Sequence, residues 1–149
     1  MSLQDNIMTA MKAAMKEKDQ TALAALRAVK AEILLAQTAS GSKEELTEEA
    51  EIKILSKMVK QRKDSAAIFL EQDRKDLADP ELAQVDIISQ FLPAQLSEEK
   101  ITEEVMKAIA AIGAEGMKDM GKVMGIVSKK LAGQADGKTI SNIVKAKLL

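Results

Sequence analysis

Aliphatic side chains recur at three- and four-residue intervals along almost the whole chain, and this spacing constrains the fold more than any other feature. It is the pattern of amphipathic helices, each with one face to bury. Leu3, Ile7, Met11, Ala14 and Met15 form such a stripe over residues 3–17. A second stripe, Leu23, Leu26, Val29, Ile33 and Leu34, follows Asp19, a residue suited to capping a helix start. After a loop at Ser40-Gly41-Ser42, a long third helix opens at Ser42, with Glu45 three residues on, or at Thr47. It is expected over about residues 47–76, with Ile52, Leu55, Met58, Val59, Ala66, Phe69 and Leu70 on its inner side.

Asp79-Pro80 reads as a cap followed by proline at the first helical position, opening a short helix with Leu82, Val85, Ile88 and Phe91. Pro93 ends it, because its ring pushes Leu92 out of the helical region. The domain boundary is placed at Leu92–Leu96, giving an N-terminal helical domain over residues 1–92 and a C-terminal one over residues 97–149. In the second, Ser97 opens a helix bearing Ile101, Val105, Ile109 and Ile112, broken by Gly113 and Gly116. Residues 117–131 form another, with Met120, Val123, Met124, Val127 and Leu131, stopped by Gly133. Asp136 caps the last, which carries Ile140, Ile143, Val144 and Leu148.

The fold class expected is therefore all-α: an N-terminal helical domain built around a long helix, and a small C-terminal domain of about three helices. Composition agrees. Only Phe69 and Phe91 are aromatic, whereas Ala, Leu, Met, Lys, Glu and Gln, which lose little side-chain freedom in a helix, are abundant. The nine Met are expected mostly as filling for cores short of aromatic rings.

The chain contains neither His nor Cys. That removes the commonest general base, the thiolate nucleophile and every zinc site built from those two residues. No carboxylate pair stands out as a catalytic dyad, so no catalytic residue, metal or cofactor is expected. No apolar run approaches the roughly 20 residues of a membrane span. Residues 1–18 carry Lys12, Lys16 and Lys18 among Met and Ala without the apolar stretch of a secretory leader. The expected location is cytoplasmic, with no membrane association.

Two stretches imitate part of a phosphate-binding loop. Gly116 to Lys122 has the spacing of such a motif, but Val123 stands where Ser or Thr must hold magnesium. Gly133 to Thr139 has the Lys-Thr ending but is one residue short. Neither follows a strand that would aim it, and helix breaks account for Gly116, Gly133 and Gly137 without a nucleotide. Gly121 and Gly125, four apart in a helix, are expected to let another helix pack closely inside the C-terminal domain.

Charge is distributed unevenly. From Met117 onward there are seven Lys against Asp119 and Asp136, a net +5, whereas the whole chain is −1. A basic end on a near-neutral protein points to an anionic partner. Lys53, Lys57, Lys60, Arg62 and Lys63 form a second basic group on the third helix, with Lys53, Lys57 and Lys60 on one face and Lys63 close to it; it is read as a solvated face with Glu49–Lys53 pairing, and contact with a phosphate backbone is the alternative.

The run Asp119-Met-Gly-Lys-Val-Met-Gly-Ile-Val-Ser-Lys-Lys-Leu-Ala-Gly-Gln-Ala-Asp-Gly-Lys138, followed by Ile140, Ile143, Val144 and Leu148, resembles the C-terminal signature of the GatB/YqeY family. Leu26-Arg27, Lys60-Gln-Arg62-Lys63, Arg74-Lys-Asp-Leu77-Ala and Phe91-Leu-Pro-Ala-Gln-Leu-Ser-Glu-Glu99 fit in family order, so the likeness to stand-alone YqeY-like proteins covers essentially the whole chain. Phe91 stands where the family pattern has Tyr. The resemblance implies a two-part helical fold. It also implies kinship with the tail of GatB, a subunit of the glutamine-dependent aminoacyl-tRNA amidotransferase, where the tail helps to hold tRNA and the chemistry sits in other parts. A family label of carbon–nitrogen ligase with glutamine as amido donor would belong to that complex, not to this module.

The resulting expectation is a tRNA- or RNA-binding accessory module, not an enzyme by itself. Lys118, Lys122, Lys129, Lys130, Lys138 and Lys145 would contact phosphates, and Gly121, Gly125, Gly133 and Gly137 would shape the packing and turns that present them. An adaptor docking on an amidotransferase or synthetase is the alternative, and a contributor to amide transfer a third.

Overall fold

A computed structural model of the chain describes residues 2–39, 41 and 45–149. Ser40 and Ser42, expected as loop residues and, for Ser42, as one of two helix starts, lie outside the described residues. Among the described residues there are seven α-helices and no strand. The chain divides into two compact units, the first reaching Leu92 and the second running from Pro93 to Leu149.

In the first unit, α1 (Leu3–Glu17) opens with a reciprocal cap: Asp5 N–H donates to Ser2 Oγ and Ser2 N–H to Asp5 Oδ2, each at 3.2 Å. It closes at Lys18, which adopts the left-handed conformation at φ 58°. Asp19 caps α2 (Gln20–Ala39) by accepting from Ala22 N–H at 3.0 Å. This turn brings α1 back against α2, the helix whose inner face (Leu23, Ala25, Leu26, Val29, Ile33) is buried. Thr47, not Ser42, caps α3 (Glu48–Glu71), accepting from Ala50 N–H at 3.1 Å. Glu48, Glu49 and Glu51 in the first turn favour the positive end of its dipole.

The helix after α3 begins earlier than Asp79-Pro80 suggests. α3 stops at Glu71, where Asp73 turns to φ 57° and Arg74 N–H reaches back to Phe69 O at 2.8 Å. α4 then spans Lys75–Ser89, with Pro80 inside it. Proline's preference for the first helical position does not mark the start here. The intrahelical bond that Pro80 forfeits would have gone to the carbonyl of Asp76, in the exposed first turn, where water can replace it. Starting at Lys75 places Ala78 in the core, fully buried, with Val85 and Ile88 of the same helix also buried. Across the α3–α4 pair, Arg62 donates from Nε to Gln84 Oε1 at 2.9 Å, and within α3 it donates from Nη1 to Met58 O at 3.3 Å. Ile7, Leu26, Val29, Leu55 and Ile88 form the centre of this unit's core.

In the second unit, Ser97 caps α5 (Glu98–Ile112), and Gly113 ends it in the left-handed conformation at φ 64°. Residues 117–131 do not form one helix. Met117–Asp119 make a 3₁₀ turn, closed by Asp119 Oδ2 accepting from Glu115 N–H at 3.0 Å, and α6 runs Met120–Lys130. α7 spans Gly137–Leu148; Asp136 precedes it, but its side chain makes no capping bond. Val105, Val123, Val127, Ile140 and Val144 are the interior of this three-helix unit. The segment entering it is tied to the α6–α7 turn: Leu96 N–H donates to Gln134 O at 2.9 Å and Gln95 Nε2 to Gly133 O at 2.6 Å.

The methionines depart from the expectation of core filling. Met58 is buried, and Met11, Met120 and Met124 are half-buried, but Met8, Met15, Met106 and Met117 are exposed.

Candidate nucleic-acid interface

α6 buries Val123 and Val127, four residues apart, with Met120 and Met124 half-buried beside them. Seven residues make nearly two whole turns, so Lys122 and Lys129 project along one line on the opposite face. Gly125 lies between them, Lys118 stands one turn before, and Gly121 borders the same face; all five are exposed. On α7, burial of Ile140, Val144 and Leu148 turns Lys138 and Lys145, again seven apart, together to solvent, with the exposed Asn142 between them. The arrangement is thus two outward lysine lines, one per helix.

The six lysines are not equivalent. Lys122, Lys129, Lys138 and Lys145 make no ion pair among the described residues. Lys118 is loosely matched by Glu115 at 3.9 Å, both side chains well exposed, a pairing of little energetic weight. Lys130 is turned away from the others and its Nζ lies 2.6 Å from Glu104 Oε2 on α5. Lys107 approaches the other oxygen of Glu104 at 3.4 Å. The close ion pair with Lys130, helped by the positive charge of Lys107, holds the Glu104 carboxyl below the usual range. Lys130 is therefore already engaged, a relationship between residues 26 positions apart that no local pattern signals.

The glycines separate into two kinds. Gly133, at φ 76°, occupies a left-handed turn position, as its expected turn role requires. Gly121 and Gly125 do not serve close helix packing among the described residues: a Cβ built on either would meet none of their atoms within 4 Å, and the same holds for Gly137. The space they leave open faces outward.

No polar or charged side chain is fully buried among the described residues, and no three carboxylates are grouped to hold a metal ion. A cavity of about 340 Å³ between α1 and α2 is lined by Gln4, Asp5, Ile7, Met8, Lys30 and Ile33. Its one carboxylate, Asp5, is held below the usual range by hydrogen bonds from Ser2 and serves in the α1 cap. No described helix is long and apolar enough to cross a membrane.

The family model described as Yqey-like protein matches residues 4–148, which takes in both units. The chain belongs to the Yqey-like family. Among curated relatives, "Altered inheritance of mitochondria protein 41, mitochondrial" of Pyrenophora tritici-repentis is 32% identical over 145 residues, 92% of this chain and 78% of that protein. A second similarity, 39% identity over 79 residues, is to a subunit of the glutamyl-tRNA(Gln) amidotransferase of Thermococcus gammatolerans. It covers 50% of this chain but 13% of that amidotransferase chain, so the shared part is a small module of a much larger protein.

Proposed function

We propose that this Yqey-like chain is an RNA-binding accessory module, with tRNA as its first candidate ligand, and that it is not an enzyme by itself. The observation that carries the reading is the outward face of α6. Glycine in a helix interior costs about 1 kcal/mol relative to alanine, and among the described residues no atom packs against the Cβ position of Gly125 or of Gly121, the second residue of α6. An external partner that comes close to the helix backbone would compensate. Lys122 and Lys129 on either side of Gly125 suit a phosphodiester backbone, and Lys118, Lys138 and Lys145 extend the charge. The chain has two aromatic residues, Phe69 and Phe91, both half-buried, so base stacking can contribute little and recognition would rest on backbone charge and shape. The local similarity to part of a glutamyl-tRNA(Gln) amidotransferase supports tRNA as the first ligand to test.

The test is an anisotropy titration of labelled tRNA with the full chain at several salt concentrations. Binding that weakens steeply with salt, and is lost in Lys122→Glu/Lys129→Glu, supports the reading. Unchanged affinity in that variant removes it.

An adaptor docking on an amidotransferase or synthetase is favoured by one feature, the exposed Ile126 on α6 beside the lysine line. Association with such an enzyme that survives nuclease treatment would establish it. Direct participation in amide transfer, as a carbon–nitrogen ligase using glutamine, would require glutamine or ATP turnover by the purified chain; with neither His nor Cys present we expect none. We propose a cytoplasmic location, consistent with a chain without Cys; the fungal relative's name marks the mitochondrion as the alternative, and imaging of a tagged full-length protein decides between them.

A further inference from the structure

The eleven residues from Lys53 to Lys63 on α3 contain five cations (Lys53, Lys57, Lys60, Arg62 and Lys63) and no acid. They belong to a unit whose residues 1–92 hold thirteen Lys and Arg against sixteen Asp and Glu, so the positive charge is local and set against a negative background. The helix buries Leu55, Met58 and Val59, and Arg62 is half-buried and occupied by Gln84 and the Met58 carbonyl. Every exposed position left in the stretch is Lys or Gln: Lys53, Lys57, Lys60, Gln61 and Lys63. The pairing of Glu49 with Lys53 expected from their spacing does not form. None of the four lysines has a carboxylate within ion-pair distance among the described residues. Glu51 and Asp64 are the nearest acids in sequence, one on each side of the stretch.

We infer that this face of α3 is a second contact for a phosphodiester backbone, on a different unit from the one proposed above. The inference rests on the reading that the chain binds RNA, though not on which residues of the second unit do so. Four ammonium groups spread over about 15 Å of helix match the scale of a few successive phosphates. The chemistry of the face selects the partner. A protein interface has an apolar or aromatic centre and is poor in Lys, and a helix lying on a membrane inserts apolar side chains. Between Lys53 and Lys63 no apolar side chain is exposed; Ile68 and Leu70, the exposed large apolar residues of α3, come only after Asp64. A polyanion bound through charge alone needs neither.

The experiment compares the full wild-type chain with Lys53→Gln/Lys57→Gln/Lys60→Gln/Lys63→Gln, in which glutamine preserves helix propensity. Labelled tRNA is titrated at several salt concentrations, and the slope of log affinity against log salt is read. Removing four phosphate contacts should lower that slope by about 3. If the four-fold variant is poorly folded by circular dichroism, Lys57→Gln/Lys60→Gln carries the same test with an expected change of about 1.5. A parallel variant, Lys122→Gln/Lys129→Gln/Lys138→Gln/Lys145→Gln, separates the two proposals. A wild-type slope in the α3 variant overturns the inference, whatever the second-unit variant does. A lowered slope in the α3 variant with no change in the other upholds it and overturns the α6–α7 assignment instead. No tRNA binding by the wild type at low salt overturns both, as does nuclease-resistant capture of a protein by the α3 face without any affinity for RNA.

Discussion

Lys130 on α6 places its Nζ 2.6 Å from Oε2 of Glu104 on α5, with the glutamate side chain 19% exposed and the lysine 59%. The pair joins two helices of the second unit across a long stretch of sequence and removes one lysine from the set free to meet an anion. Because the Glu104 carboxyl is held below its usual range, its contribution to stability is fully present above the ordinary glutamate pKa. That contribution is lost as pH falls through the lowered folded value. Glu104→Gln should therefore reduce the melting temperature at neutral pH, and the gap from wild type should close as the solution is acidified below the glutamate range. A gap that stays constant with pH would show that the ion pair is not its source.

Stability and binding should move in opposite directions at the exposed glycines of α6. Alanine at Gly121 or Gly125 meets open space, so each substitution should stabilise the second unit by up to about 1 kcal/mol in denaturant titrations. The same methyl groups stand where a phosphate backbone would approach, so tRNA affinity should fall. Stabilised variants with undiminished affinity would leave these glycines without a role in binding.

Gly113 behaves differently although it too has open space around it. Its φ of 64° is left-handed, so Gly113→Ala should cost about 1 kcal/mol from backbone strain alone. Denaturant titration of this variant beside Gly121→Ala should give opposite signs. The same sign in both would contradict the left-handed ending of α5.

Pro80 offers a test of where α4 begins. If the helix starts at Lys75, Pro80→Ala restores a hydrogen bond to the Asp76 carbonyl and should stabilise the first unit by roughly 1–3 kcal/mol. A helix opening at Pro80 would gain nothing or lose stability on the same substitution.

These contrasts separate what is local from what is not. Asp19, Thr47 and Ser97 each cap a helix through a bond to a backbone N–H three residues on, and a contact that close in sequence is written in residue type and spacing. The all-helical class follows from the same source, since aliphatic spacing and helix propensity act residue by residue. At the α3–α4 junction two influences compete. Asp79-Pro80 looks like a helix start, but beginning at Lys75 buries Ala78, and burial depends on residues elsewhere in the chain.

The candidate interface divides along the same line. Periodicity alone places Lys122 and Lys129 on one face of a helix and Lys138 and Lys145 on one face of another, because seven residues are close to two turns in any α-helix. Whether those lysines are free, whether Gly121 and Gly125 face a neighbour or open space, and whether Lys53 finds Glu49 are matters of which atoms meet. The helical class, most helix starts and the outward direction of the lysines follow from interactions within a few residues and are legible in the chain itself. That Lys130 is paired with Glu104, and that among the described residues the α6 glycines are uncovered and the α3 lysines find no carboxylate, emerges only once the helices are packed. Charge pairing and open space depend on how helices distant in sequence pack together.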